Sequence, residues 1–227
     1  MAEDTARRRG RHAEGARNDQ RLLDAARDVF ASQGTAATVA AIAERAGLGI
    51  GSLYRRYGSK TELLQRLCLL AMEQTIAAAA EALAVPDPDA ALTGYIHACV
   101  AQRAGALAPL AGTIATTQEM WELSREGRRL QQAIVDRAHQ AGHLRPDVTA
   151  LDVSWLIEQF ARTAPPAEAG ADADDRNVQR RLLAIAVDGL FAAGARPLPG
   201  YAPSTDHYVR RWQPPGGAGD PLPAPVR

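Results

Sequence analysis

The spacing of apolar side chains along the chain predicts a protein built of helices. The first clear run at the spacing of one helix face is Leu22, Ala26, Val29 and Phe30. Gly34 follows and is expected to end that helix. The same spacing returns in later segments, whereas the alternation of apolar and polar residues that marks a half-buried strand is not found. The fold class is therefore predicted to be all-α.

Two short helices are predicted next, each ended by a glycine. Thr38 is suited to cap the first of them, which ends at Gly47 after about two turns. The second covers about residues 50–57. Ser59 and Glu62 then form the pattern of a capping box, in which each side chain binds a backbone amide at the helix start. This box predicts a long fourth helix, reaching about residue 83.

The rest of the chain is predicted to continue as helices. They are expected over about residues 89–104, 119–141, 149–163 and 175–193, with a less regular segment over 108–117. The pattern predicts four parts: a flexible basic arm over 1–17, a helix-turn-helix domain over 18–64 (motif about 37–56), a helical body over 65–195, and a disordered Pro- and Gly-rich tail over 196–227.

Charge is unevenly distributed, although the whole chain has a formal net charge of +0. Residues 1–60 hold eleven Lys or Arg and seven Asp or Glu, a net +4, which leaves the remainder at −4. A basic front on an acidic body fits a nucleic-acid-binding unit carried by a second domain, and a fluctuation among solvated charges explains it equally well. No signal peptide and no apolar run of about 20 residues is found, so a cytoplasmic protein without membrane contact is expected.

Enzyme and metal chemistry find little support in the sequence. None of the usual motifs of zinc proteases, serine hydrolases, P-loop proteins or dinucleotide-binding enzymes is present. His139 and His143 lie at metal-ligand spacing, but no acidic third ligand is evident near them. Cys68 and Cys99 form no C-x-x-C pair and are expected to be buried free thiols. The chain is therefore predicted to be a non-enzyme with no metal and no cofactor.

The segment over residues 37–60 carries the functional prediction. Small side chains at Ala43 and Ala46 allow close packing on the first helix, which would hold the next short helix outward as a probe of the DNA major groove. Arginine suits guanine, serine a base or phosphate, and isoleucine a thymine methyl. Lysine and helix-start amides suit phosphates. The candidate DNA contacts are Thr38, the amide of Val39, Ile50, Gly51, Ser52, Arg55, Arg56 and Lys60.

At these residues the sequence resembles the TetR family of bacterial regulators. The matching pattern covers about residues 20–65: the first-helix stripe, then Thr38, Ile42-Ala43, Ala46-Gly47-Leu48, Ser52-Leu53-Tyr54, Tyr57, Ser59-Lys60 and Leu63-Leu64. The resemblance implies that Tyr54 and Lys60 contact phosphates and that Thr38 anchors the second helix. Gly49 departs from the family pattern, which makes the cap of the recognition helix weak, and Tyr57 stands where phenylalanine is more frequent.

The resemblance also implies a double-stranded DNA operator, a homodimer and a small-molecule effector. In the family the last two helices dimerise, and the candidates here are Leu151, Trp155, Phe160, Val178, Leu182, Ile185 and Gly189. The same stripes would serve equally as intramolecular core. Candidates for a mostly apolar effector pocket are Met72, Tyr95, His97, Cys99, Met120, Trp121 and Trp155. A ligand-responsive repressor is favoured, and a helical protein-interaction module without DNA binding is the alternative.

Overall fold

A computed structural model describes residues 2–163, 173–191, 194 and 196–210, and its side chains from residue 14 onward except those of residues 208 and 209. The helices are α1 (Ala2–Gln33), α2 (Val39–Ala46), α3 (Ile50–Tyr57), α4 (Lys60–Leu83), α5 (Pro88–Ala101), α6 (Gln118–Gln140), α7 (Ala150–Thr163), α8 (Ala173–Leu190) and α9 (Thr205–Arg210). Two short 3-10 turns lie at Gly34–Ala36 and Ala108–Leu110. Within these ranges no strand occurs, which confirms the all-α prediction.

Local capping sets the boundaries of the short helices. The Thr38 hydroxyl accepts a hydrogen bond from the Ala41 amide at 3.1 Å, as predicted. Gly47 ends α2 with φ of 65°, a left-handed conformation that glycine adopts without steric cost. Gly49 offers no side-chain cap to α3. The turn between α2 and α3 is thus fixed by a glycine and not by a side-chain hydrogen bond.

The expected capping box at the start of α4 is only half formed. The Ser59 hydroxyl accepts a hydrogen bond from the Glu62 amide at 3.1 Å. The Ser59 amide itself donates to the Tyr57 carbonyl at 2.7 Å, so the glutamate is not needed to satisfy it. The cap therefore follows the serine half of the motif alone.

The buried side chains form two clusters that share α4. The first joins α1, α2, α3 and the first half of α4 with buried residues of the 107–120 segment, and it includes Leu22, Ile42 and Leu53. The second joins the end of α4 to α5, α6, α7 and α8 and includes Ile96 and Ile134. Burial of each such side chain contributes about 1.5–3 kcal/mol relative to exposure. Because α4 supplies buried residues to both clusters, it links the two packing units mechanically.

The two chain ends differ from the sequence prediction. Residues 2–17, expected as a flexible arm, form the first turns of α1. Alanine, arginine and glutamate are strong helix formers, so a segment rich in them can form a helix without an apolar stripe. In the expected tail, residues 205–210 form α9, while residues 211–227 lie outside the described part.

The segment before α9 is held by the loop that precedes α7. Asp147 accepts the Leu198 amide at 2.8 Å, and Arg145 donates to the Arg196 carbonyl at 2.7 Å. The hydrogen bonds from Arg145, and then the Leu198 amide, lower the pKa of Asp147 to about 2. Further along, the His207 ring lies 5.8 Å from the Trp155 ring. These contacts explain why this part of the chain is ordered despite its composition.

In the described ranges no helix is both long and apolar enough to cross a membrane. No group of three or more potential metal ligands is found among the same residues. His143 instead contacts Asp89 at 2.7 Å, and His139 lies 3.1 Å from the Arg145 carbonyl.

Candidate nucleic-acid interface and internal cavity

One face of α3 exposes large side chains to solvent. Leu53 points inward and is buried, whereas Ile50 and Tyr54 are each 43% exposed. Gly51 has open space where a side chain would begin. Arg55 lies on the same face and donates to the Ser52 hydroxyl at 3.2 Å. An apolar, a phenolic and a guanidinium group thus share one exposed surface of a helix, as readout of base edges and methyl groups requires.

Two further predicted contacts begin the helices on either side of α3 in the chain. Lys60 is exposed and is the first residue of α4, directly after the Ser59 cap. Thr38 is exposed and caps α2. The side chain of Val39 is buried, so only its backbone amide can serve a phosphate. Helix-start amides beside a lysine are suited to bind phosphate.

Arg56 differs from its prediction because α1 holds it. Its guanidinium pairs with Asp19 at 2.8 Å and lies 5.3 Å from the centre of the Tyr57 ring. It also donates to the Gly15 carbonyl at 3.4 Å. A guanidinium engaged with a nearly buried carboxylate must give up that pair before it can read a base. Arg55 is therefore the better placed of the two arginines.

Tyr57 completes this contact between α1 and α3. Its hydroxyl donates to the same Asp19 carboxylate at 2.5 Å. Burial, and then the hydrogen bond to Asp19, raise the pKa of Tyr57 well above its usual value, so the hydroxyl stays a donor. The hydroxyl of Tyr57 thus adds a polar contact between α1 and α3 that the sequence did not indicate.

Several arginines of the basic front stabilise the fold instead of facing outward. Arg21 donates to the Ala46 carbonyl at 2.7 Å, at the end of α2. Arg45 pairs with Asp28 at 2.7 Å, and the buried Arg103 pairs with the other oxygen of that carboxylate. These pairs join residues far apart in sequence, and no sequence spacing indicates them.

A cavity of about 180 Å³ lies among α4, α5, α6 and α7. Of the predicted pocket residues, Met72, Tyr95 and Cys99 line it. The other four do not: His97 is exposed, Met120 lies in the first core cluster, Trp121 is half-buried elsewhere, and Trp155 faces His207. An aromatic or methionine on a helical stripe fills core or surface as readily as a cavity wall.

The cavity wall is mostly apolar, as predicted, and it carries a group of polar side chains between α6 and α7. Gln131 and Ser154 are joined by a hydrogen bond of 3.0 Å, and the nearly buried Glu158 lies one turn beyond Ser154. Arg128 binds the Ser124 hydroxyl at 2.7 Å on the facing helix. The one-face spacing of residues 151, 154 and 158 could have indicated this wall.

Both cysteines line the same cavity as free thiols. Burial raises the pKa of Cys68 and of Cys99 to about 12 in each case. The thiols therefore stay protonated near neutral pH and are poor nucleophiles. They act as small apolar wall residues, in agreement with the sequence prediction of buried free cysteines.

The predicted dimer residues fall into two groups. On α8, Val178, Leu182 and Ile185 are each more than half exposed, and Gly189 continues the same line with open space around it. The buried side of α8 is made by Leu183 and Val187 instead. On α7, Leu151 lines the cavity, while Phe160 packs against the second core cluster. Within one chain, the outer stripe of α8 is thus not core.

Family comparisons agree with this division of the molecule. Residues 22–67 match the family model of bacterial regulatory proteins of the tetR family. Residues 87–192 match the model of the C-terminal domain of SbtR-like transcriptional regulators. The two matches together cover more than half of the chain; the first spans most of the helix-turn-helix unit and the second spans α5 to α8.

Solved structures show the same fold. The TetR-family transcriptional regulator PfmR of Thermus thermophilus is 24% identical, with a TM-score of 0.55 over 77% of this chain and 99% of its own. A TetR transcription regulatory protein of Mycobacterium vanbaalenii is 24% identical, with a TM-score of 0.53 over 80% and 99%. The ketosteroid transcriptional regulator KstR2 of Mycobacterium tuberculosis is 23% identical, with a TM-score of 0.52 over 75% and 93%. No curated protein sequence matches the chain.

Proposed function

The chain belongs to the TetR family of bacterial transcriptional regulators, and from this premise we propose that it is a homodimeric repressor that binds a palindromic operator and releases it when a small molecule fills the cavity. The observation that carries the proposal is the exposed α3 face, where Ile50 and Tyr54 stand in solvent beside Arg55. Regulation of transcription, and not catalysis, is proposed as its activity, in the cytoplasm where the DNA lies.

The DNA contacts divide into two kinds. We assign base contacts to Ile50, Ser52 and Arg55, with Gly51 allowing the backbone to come close. Phosphate contacts are assigned to Tyr54, Lys60 and the start of α2 at residues 38–39. Arg56 serves a phosphate only after leaving Asp19, so its part in recognition is the smallest.

The homodimer is supported by the outer stripe of α8. Exposed apolar side chains aligned along one helix cost solvation free energy that a second copy would recover. A twofold dimer would place its two α3 helices about 34–36 Å apart, one helical turn of DNA. The predicted operator is therefore a palindrome with that half-site spacing.

The effector is proposed to be amphipathic. Met72 and Leu123 offer apolar surface, while Arg128, Gln131 and Glu158 offer charge and hydrogen bonds at the α6–α7 side. A molecule with an apolar body and one polar end would satisfy both. If it separates the two α3 helices, coupling of about 1–3 kcal/mol would change operator occupancy by roughly 5–150-fold.

The test is a selection of bound duplexes from random DNA with the full chain at a stated salt concentration. A recovered palindrome, lost when Tyr54→Ala and Lys60→Ala are combined, is the expected result. A folded, dimeric protein that enriches no duplex would overturn the DNA-binding proposal in favour of a protein-interaction module. The recovered operator then allows candidate effectors to be screened by release of DNA, with Met72→Trp as a cavity-filled control.

A further inference from the structure

One carboxylate joins the DNA-binding unit to the body of the protein. One carboxylate oxygen of Asp28, on α1, accepts hydrogen bonds from Arg45 of α2, at 2.7 Å from Nη2 and 2.9 Å from Nε. Its other oxygen pairs with Arg103, which follows α5. The guanidinium of Arg103 is nearly buried and also donates to the Arg27 carbonyl at 3.1 Å. A buried arginine with a fixed carboxylate partner is held in one orientation.

Arg103 stands in a turn that belongs to the cavity wall. Its φ of 54° is positive, an unusual conformation for a residue other than glycine, and the surrounding contacts must hold it there. The Ala106 amide donates to the Arg103 carbonyl at 2.9 Å, so residues 103–106 form a compact unit. Within this unit, Ala104 and Gly105 line the cavity.

The same turn is pressed directly against α7. A methyl group added at Gly105 would lie 2.8 Å from the Glu158 Cα and 2.9 Å from its Cγ. Contacts this short with backbone force one of the two elements to move. The turn therefore cannot stay in place if the α7 wall of the cavity shifts toward it.

Resting on the proposed function, we propose that Arg103, Asp28 and Arg45 are positioning residues for DNA recognition. When a molecule in the cavity displaces the 103–106 turn, these three residues transmit the displacement to α2. The route is short and rigid: Glu158 contacts Gly105, the turn carries Arg103, and Asp28 bridges Arg103 to Arg45. It enters the helix-turn-helix through α2. Since α2 and α3 share one glycine turn, a moved α2 reorients the recognition helix.

The test uses no effector, because Gly105→Ala itself displaces the turn. Operator affinity is measured for four proteins: wild type, Gly105→Ala, Arg45→Gln and the double variant. Gly105→Ala is expected to weaken operator binding by about fivefold or more in the wild-type background, and by less than about twofold when Arg45→Gln has cut the route. An unrelated duplex of equal length should show no such difference, because only a correctly placed α3 favours the operator.

Gly127→Ala is the matched control on the facing wall. Its added methyl group would meet only the Ile76 Cγ1, at an ordinary 3.7 Å, so operator affinity should stay within about twofold of wild type. The proposed route would be overturned if Gly105→Ala caused the same loss of operator affinity in both backgrounds. It would also be overturned if Gly127→Ala lowered operator affinity as much as Gly105→Ala does.

A second measurement covers the case in which Gly105→Ala does not fold. Lysine in Arg103→Lys cannot hold Asp28 and the Arg27 carbonyl together. Amide hydrogen exchange should therefore quicken in α2 but not in α9, and unchanged exchange in α2 would overturn the proposal. This measurement needs no DNA, so it decides the route even if the wild-type chain selects no duplex and the proposed function fails.

Discussion

Asp19 on α1 accepts a hydrogen bond from the Tyr57 hydroxyl, which lies at the end of α3, across 38 residues of sequence. The same carboxylate pairs with Arg56. One nearly buried acid thus fixes the end of the recognition helix to the helix on which it packs. At the other end of α3, Gly49 provides no side-chain cap.

Tyr57→Phe should lower the free energy of unfolding by about 1–3 kcal/mol, because it removes the hydroxyl donor from a nearly buried carboxylate. The measurement is urea unfolding followed by circular dichroism. Tyr201→Phe is the control, since Tyr201 is 98% exposed and its loss of a hydroxyl should change little. Equal unfolding midpoints for wild type and Tyr57→Phe would contradict the importance of this contact.

Arg55→Ala and Arg56→Ala should differ in kind. Arg55→Ala should cost about 1–3 kcal/mol of operator binding and relax the preference at one base position. Arg56→Ala should act mainly on stability, since its guanidinium is paired with Asp19. Repeating the duplex selection with each variant separates the two. A relaxed base preference for Arg56→Ala alone would reverse the assignment.

Lys60→Ala should weaken every duplex by a similar factor. A lysine that contacts phosphate releases a counterion on binding, so the slope of log affinity against log salt should fall by about 1. Fluorescence anisotropy over a range of salt concentrations measures the slope. Arg129→Ala is the control, because Arg129 is an exposed cation of the body paired with Glu126 at 2.7 Å. A changed base preference for Lys60→Ala would show that the contact is misassigned.

Leu182→Glu should convert the dimer to a monomer. A charge in the middle of the exposed α8 stripe must be desolvated if a second copy covers it. Sedimentation velocity measures the change, and Leu198→Glu is the control because Leu198 is 44% exposed but lies outside α8. If wild type and Leu182→Glu sediment alike, the stripe is not the interface.

The two cysteines should resist thiol reagents while the protein is folded. Their pKa values of about 12 leave almost no thiolate at pH 8. Burial raises these pKa values above those of the unfolded chain. The buried protonated thiols therefore contribute fully to stability below the pKa of the unfolded chain, and this contribution declines as the pH rises toward 12. Reaction with a chromogenic disulfide should be slow at pH 8 and fast in denaturant. Rapid reaction of the native protein would mean that the cavity is open to the reagent.

Features that depend on neighbouring residues could be predicted from sequence. The cap at Thr38, the left-handed glycine at Gly47 and the serine cap at Ser59 are local, so residue type and spacing specify them. The apolar stripe of α8 could be predicted from its helical spacing, whereas its exposure to solvent could not. The family pattern was identified from the same local features.

Features that depend on distant residues could not be predicted. Asp28 and Arg103 are 75 positions apart, and no periodicity relates them. The same applies to the pairing of Arg56 with Asp19, which lie 37 positions apart. Trp155 was expected at the cavity or the dimer interface, and one residue whose ring lies near it, His207, is in the segment expected to be disordered. Such partners are determined by packing between distant segments, and a single sequence does not show which segments pack together.

The exposed start of α4 has a practical consequence, because Lys60 carries the only lysine amine in the chain. Among the side chains, only that position can couple to amine-reactive reagents that attach the protein to a sensor surface or a dye. Such coupling would turn the proposed DNA-binding face toward the support and mask it. Attachment at an engineered residue of the body, or tethering of the duplex instead, would leave that face open, and operator protection of the amine from labelling would give a one-site footprint.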